Sequence, residues 1–280
     1  MADTRVMGAA TETAMRPLNA GAAPRANSAA PAAPSAAGGG GLIMRAIKFF
    51  VALALIPACI GFTLGVHAHF TSLWTRVSFG MFGPGTMMKS FAVGAIAFGA
   101  FTILVWRPIV VYVFGHELIH AFATWACLGR VSNLTASAKG GQVTTSKTNT
   151  FIRLAPYCVP FYVLLAVGAF AAADAWWMPI KSYLYVLAAV VGFFYAFHLG
   201  FTLWSLRRDQ PDLKPDGWIF SLVLIFLANL AVFAMIFGFL TDGQLHAAWP
   251  ALRDSCISGW SQTEHIYRNL ETSAQQFVQR

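Results

Sequence analysis

The sequence predicts an all-α, polytopic membrane bundle of about six helices. Two observations carry that expectation. Hydrophobic residues make up 57% of the 280-residue chain and charged residues only 11%, about half the charged share of a soluble protein. The apolar residues also fall in runs of about 20, the length that crosses the hydrocarbon core of a bilayer. A soluble fold has too little charged surface to cover 24 Phe and 9 Trp, and mean hydropathy is +0.60. This composition excludes a soluble enzyme and, one tail apart, a disordered chain. The formal net charge of +8 sits at segment ends, where basic residues anchor at anionic head groups. The bilayer, and no nucleic acid, is therefore the expected partner. The 4 Cys are scattered without a CxxC pair, which excludes a Cys-based zinc ribbon and argues against a disulfide scaffold.

Residues 1 to about 42 are rich in Ala, Gly, Pro and Ser and end in Gly38-Gly39-Gly40-Gly41. Such a segment cannot repay its ordering entropy, so a disordered tail is expected. Residues 43–241 form the membrane domain. The first span is about 46 to 66, with Arg45 and Lys48 at its start. The second, about 88 to 106, carries small residues (Gly94, Ala95, Ala97, Gly99, Ala100) that allow close helix contact in lipid. The third, about 108 to 129, follows after Arg107-Pro108, close enough that the two must form a tight hairpin or a kinked pair. The fourth to sixth are about 153 to 173, 182 to 206 and 217 to 240.

The connections are short. Gly83-Pro84-Gly85 reads as a turn. His67 and His69 alternate in what reads as an interfacial loop, and Trp176-Trp177 after Asp174 as an aromatic belt. Residues 130–150 read as a polar loop or hairpin, with Val143-Thr144-Thr145 as one strand. Residues 242–280 read as a soluble helix, because Leu245, Trp249, Leu252, Cys256 and Trp260 recur at steps of three or four. It either lies on the membrane surface or packs on its own protein. Basic residues split almost evenly between the two sides of a six-span chain, so the charge rule sets no orientation.

The third span contains Gly115-His116-Glu117-Leu118-Ile119-His120, the pattern H-E-x-x-H. On a helix the two His lie one turn apart on one face, where both imidazoles reach a single zinc ion. The Glu beside the first His reaches a metal-bound water and takes its proton. The setting sharpens the signal. An uncompensated charge in mid-membrane costs about 2.5–3.5 kcal/mol on insertion scales, so ionisable residues there point to function. The spacing alone leaves the third ligand open. His198, on the fifth span, lies nearly level with His120, whereas Asp212 and Asp216 lie just beyond the end of that span. His246 and His265 have no partner pattern, and no P-loop, dinucleotide fingerprint or serine elbow is present.

This motif in a polytopic chain resembles the site-2 protease family of intramembrane zinc metalloproteases, over roughly residues 108 to 240. Ala121-Phe122-Ala123, Gly129-Arg130-Val131 and Gly140-Gly141 are similar to that family's continuation. The resemblance implies a zinc cofactor held by His116 and His120, Glu117 as general base, and an Asp from a later helix as third ligand. It also implies hydrolysis of peptide bonds in a transmembrane protein substrate, by a multi-pass protein of a bacterial-type cytoplasmic membrane. The chain departs from the family at Leu154-Ala155-Pro156-Tyr157, where an Ala-Gly-Pro run and an Asn are usual. It departs again at Pro211-Asp212-Leu213-Lys214-Pro215-Asp216-Gly217, where the family has Asn-Pro and then Leu-Asp-Gly. The resemblance favours Asp212, with Asp216 and His198 as alternatives. Two other function classes stay open: a non-catalytic metal-binding scaffold or regulator derived from such a protease, and an ion transporter.

Overall fold

The computed structural model describes residues 39–75, 84–176, 181–208, 210–242 and 245–278. The expected tail up to residue 38, the turn at Gly83, Trp177 and Asp209 lie outside these. Eight α-helices and one β-hairpin follow in order: α1 (Gly39–Thr75), α2 (Pro84–Leu104), α3 (Ile109–Ala126), β1 (Val131–Ser137), β2 (Gly140–Thr145), α4 (Thr150–Cys158), α5 (Phe161–Trp176), α6 (Leu184–Leu206), α7 (Trp218–Asp242) and α8 (Ala248–Val278). The all-α bundle expected from composition is the observed architecture. Among the described residues, five helices are long and apolar enough to cross a membrane, or six with α4 and α5 taken together. Helices suit this setting because their backbone groups are satisfied internally, where lipid offers no partner.

The fourth span differs from the expectation of one continuous helix. Asn149 caps α4, its side-chain oxygen accepting from the Ile152 amide at 2.8 Å. The helix ends at Val159, which is extended (φ −105°, ψ 110°). Val159 precedes Pro160, whose ring disfavours the helical region for its neighbour. Beyond that break α5 leaves at 67° to α4. The first span is also longer than expected. It begins at Gly39, inside the stretch read as tail, and continues through His67 and His69, which are helical rather than in a loop.

The core lies where α2, α6 and α7 converge, at Met87, Phe91, Val191, Phe237 and Leu240. Two glycines set how closely α2 and α6 approach. A Cβ on Gly94 would stand 1.8 Å from the Ala189 carbonyl oxygen, and one on Gly192 would stand 2.0 Å from that of Phe91. Gly94 thus serves the expected purpose, whereas Gly99 faces open space. A second cluster, Phe98, Tyr112, Val113, Phe197 and Phe201, joins α2 to α3 through the side chains of α6. The second and third spans therefore meet through α6 rather than as a tight hairpin of their own. Leu154, Tyr157, Leu213 and Ile225 form another cluster, which draws the α6–α7 connection onto α4.

The hairpin pairs β1 with β2 antiparallel, from Val131 opposite Thr145 to Ser137 opposite Gly140. Only β2 contains the strand expected at Val143; β1 is additional. An irregularity between Ser132 and Leu134 falls at Asn133, whose φ of 59° is left-handed, a region Asn tolerates better than most residues.

The C-terminal helix α8 lies along α1. Tyr267 donates to the Ala54 carbonyl at 2.6 Å, and Thr263 reaches that of Pro57 at 3.4 Å. Gly259 abuts Phe62, and Gly65 abuts both Gly259 and Ser255. As α1 advances, α8 retreats, so the pair is antiparallel. Gly61 and Gly65 repeat at four residues and face Ser255, Gly259 and Thr263, a small-residue seam of the kind that lets helices meet in lipid. Of the two placements expected for this segment, the structure has it packed on its own protein, against a spanning helix.

Candidate metal centre

The face of α3 that carries the motif is buried: Tyr112, Val113, Glu117, His120 and Thr124 all point inward. His116 and His120 stand one turn apart, ring centroids 4.9 Å from each other. The turn after α6 brings in Asp212. Its Oδ2 lies 3.7 Å from His116 Nε2 and 3.6 Å from His120 Nε2. Among the described residues these three form the one group of His, Cys, Asp and Glu whose ligand atoms all lie within 4.8 Å of one another. Ligands about 2.0–2.1 Å from a tetrahedral zinc ion stand about 3.4 Å apart. The Asp212 oxygen already stands within about 0.3 Å of that spacing from each imidazole nitrogen. Two imidazoles and one carboxylate suit zinc, with a coordination position left for water.

Each imidazole is oriented through its other nitrogen. His120 Nδ1 lies 2.8 Å from the Ile152 carbonyl oxygen, which fixes that nitrogen as the protonated one and leaves Nε2 as an electron-pair donor. His116 Nδ1 lies 3.4 Å from the Tyr112 hydroxyl. Outer contacts of this kind are what metal-ligating histidines require. Asp212 has a comparable support. The Tyr157 hydroxyl stands 3.1 Å from Asp212 Oδ2 and 3.2 Å from Gln210 Oε1, and its one proton favours the charged acceptor. Burial alone would raise the Asp212 carboxyl, but the adjacent imidazoles of His116 and then His120 hold it below the usual carboxylate range.

Glu117 lies beneath the hairpin. A Cβ on Gly141 would stand 2.6 Å from Glu117 Cγ and 2.8 Å from its Oε1. Only glycine therefore lets β2 cover the carboxylate this closely. A cleft of about 410 Å³ opens beside it, lined by His116, Glu117, His120 and Asp212 on one side and by Lys139 to Val143 of the hairpin on the other.

No known protein family, curated protein or solved structure matches this chain.

The other candidates are committed elsewhere. His198 Nε2 lies 3.1 Å from Asn229 Oδ1, and Asn229 in turn donates to the Tyr157 carbonyl at 2.9 Å, where the α4 helix is about to break. Asp216 has both oxygens occupied by Lys48, Thr150 and Arg153. His246 and His265 lie near and in α8, far along the chain from the motif helix.

Sequence reasoning missed the supporting groups. Tyr112 was within reach, since it precedes His116 by one turn on the same face. Tyr157 had a weaker signal, as the residue that stands where the chain departs from the family pattern. The Ile152 carbonyl had none, because a main-chain acceptor leaves no trace in side-chain identity.

Proposed function

We propose that this protein is an intramembrane zinc metallopeptidase, with His116, His120 and Asp212 as ligands and Glu117 as general base. The observation that carries the reading is the convergence of Asp212 on the two histidines from a turn about ninety residues away, on the side where Glu117 faces the cleft. Zinc held there would polarise the scissile carbonyl and lower the pKa of a bound water towards about 7. Glu117 would take a proton as the water oxygen bonds to the carbonyl carbon, and return it to the amine as the C–N bond breaks. The Ile152 carbonyl and Tyr112 hold the imidazoles in the ligating orientation, and Tyr157 holds the carboxylate. The hairpin shields Glu117 from bulk water.

A substrate helix must unwind before its amide is accessible, because its own hydrogen bonds shield it. Among the described residues β2 pairs only with β1, and its Gly140–Val143 backbone lines the cleft. That edge suits an unwound segment added as a further strand.

The test is metal analysis of detergent-purified protein beside cleavage of a transmembrane peptide. Wild type is expected to hold one zinc per chain. Glu117→Gln is expected to keep the metal and lose cleavage, and His116→Ala to lose both. Wild type free of zinc after metal supplementation would overturn the reading. Full metal without cleavage of any tested peptide would favour the non-catalytic scaffold.

A further inference from the structure

We propose that Asp216 is a positioning residue of the metal site, its buried carboxylate fixing the turn that presents Asp212 to the histidines. This rests on the metal-site reading above. Asp216 is 1% exposed. Its Oδ1 accepts from Thr150 Oγ1 at 2.8 Å and from the Lys48 ammonium. Its Oδ2 accepts from Arg153 Nε at 3.0 Å and Nη2 at 2.6 Å. The cluster joins three parts of the molecule: Lys48 on α1, Thr150 and Arg153 on the first turn of α4, and the turn itself.

The position of those partners gives the cluster its consequence. Ile152, whose carbonyl oxygen orients His120, lies between Thr150 and Arg153. One turn of α4 therefore holds the histidine side of the site through its main chain and the carboxylate side through Asp216. The turn is short. Gly217 closes it with its amide on the Leu213 carbonyl at 3.1 Å and a φ of +89° that suits glycine. Leu213 is fully buried against Leu154 and Tyr157. A displacement of Asp216 is thus carried along four residues to Asp212. Two charge-assisted bonds from one planar guanidinium fix direction as well as distance.

The experiment uses full-length protein in detergent, loaded with zinc for competition against a chelator and with cobalt for ligand-field absorption. Asp216→Asn is expected to weaken zinc binding about 10- to 100-fold, the usual cost of losing support around a metal ligand. Its cobalt spectrum is expected to change in the direction seen for Asp212→Ala. Arg153→Lys keeps the charge but not the fork, and is expected to give a smaller loss of the same kind. It also carries the test if Asp216→Asn fails to fold. A purely structural cluster would lower the melting temperature and leave affinity and spectrum at wild-type values in the folded protein. That result would overturn the proposal. Failure of wild type to bind either metal would overturn the metal-site reading and this proposal together, and is distinguished by appearing without any substitution.

Discussion

At the scale of single residues, each proposed ligand has a neighbour that orients it. His116 and His120 are held through Nδ1, and Asp212 by Tyr157 on the same Oδ2 that faces the imidazoles. Tyr157→Phe removes the hydroxyl from Asp212 while keeping a ring packed edge-on to His116 at 5.0 Å between centroids. Zinc affinity measured by chelator competition is expected to fall about 10-fold or more, with the fold intact by circular dichroism. Asp216 also gives the protein an acid sensitivity. Burial alone would raise its carboxyl, but hydrogen bonds from Lys48, Arg153 and Thr150 hold it below the ordinary value of 3.8. A carboxyl whose pKa is depressed by folding stabilises the protein above that ordinary value, and the contribution is lost as pH falls from there through the lower folded value. Melting curves recorded across the acid range should therefore show wild type losing stability below about pH 4, with a shallower slope in Asp216→Asn. The motif residues were legible in the sequence because H-E-x-x-H fixes their geometry within one helix turn. Asp212 was legible only as one of three choices. Its selection over Asp216 and His198 depends on contacts made by Lys48, Arg153 and Asn229, each distant in sequence from the group it engages.

At the scale of elements, glycine and proline shape the site more than helix propensity does. Gly141→Val puts two methyl groups where β2 rests on Glu117. Loss of activity is expected, with metal content unchanged, because the displaced hairpin moves the base and opens the cleft without touching a ligand. Cleavage and zinc content measured on the same preparation would check it. Helix α4 has a cap at its start and Pro160 just beyond its end. Asn149→Ala is expected to cost about 1 kcal/mol of stability, as typical N-cap removals do, which is readable as a lower melting temperature. The lengths of α2, α3, α6 and α7 could be read from hydropathy, since a bilayer of fixed thickness imposes them. The broken fourth span could not. Its average apolarity matches that of an unbroken helix, and the bend comes from Pro160 acting on one residue. Strand β1 was not singled out because its short alternation of half-buried and exposed residues is interrupted at Asn133, where the pairing shifts register.

At the scale of the whole molecule, the α1–α8 seam sets the course of α8. The Lys48–Asp216 contact puts the start of α1 beside the start of α7. The antiparallel pairing then returns α8 towards that same end. The C-terminus is therefore expected on the side of the membrane that holds the metal-site turn. Cysteines introduced near residue 276 and near Lys214 should be labelled by an impermeant reagent from the same side of sealed vesicles. Labelling from opposite sides would contradict the seam. The sequence indicated the amphipathic character of α8 but not its neighbour, because Gly61 and Gly65 signal close contact without naming what makes it.

The outer face of α8 carries more charge than the apolar helices it packs against. Arg253 pairs there with Asp254, and Arg268 with Glu264, all well exposed. Tyr267, one residue before Arg268, touches α1 at Ala54, well inside the apolar stretch that crosses the bilayer. Acyl chains are poor solvent for such groups. The belt of annular lipid that encircles an ordinary bundle is consequently expected to be interrupted along α8. On that flank the protein is expected to meet head groups or water at the depth of Ala54.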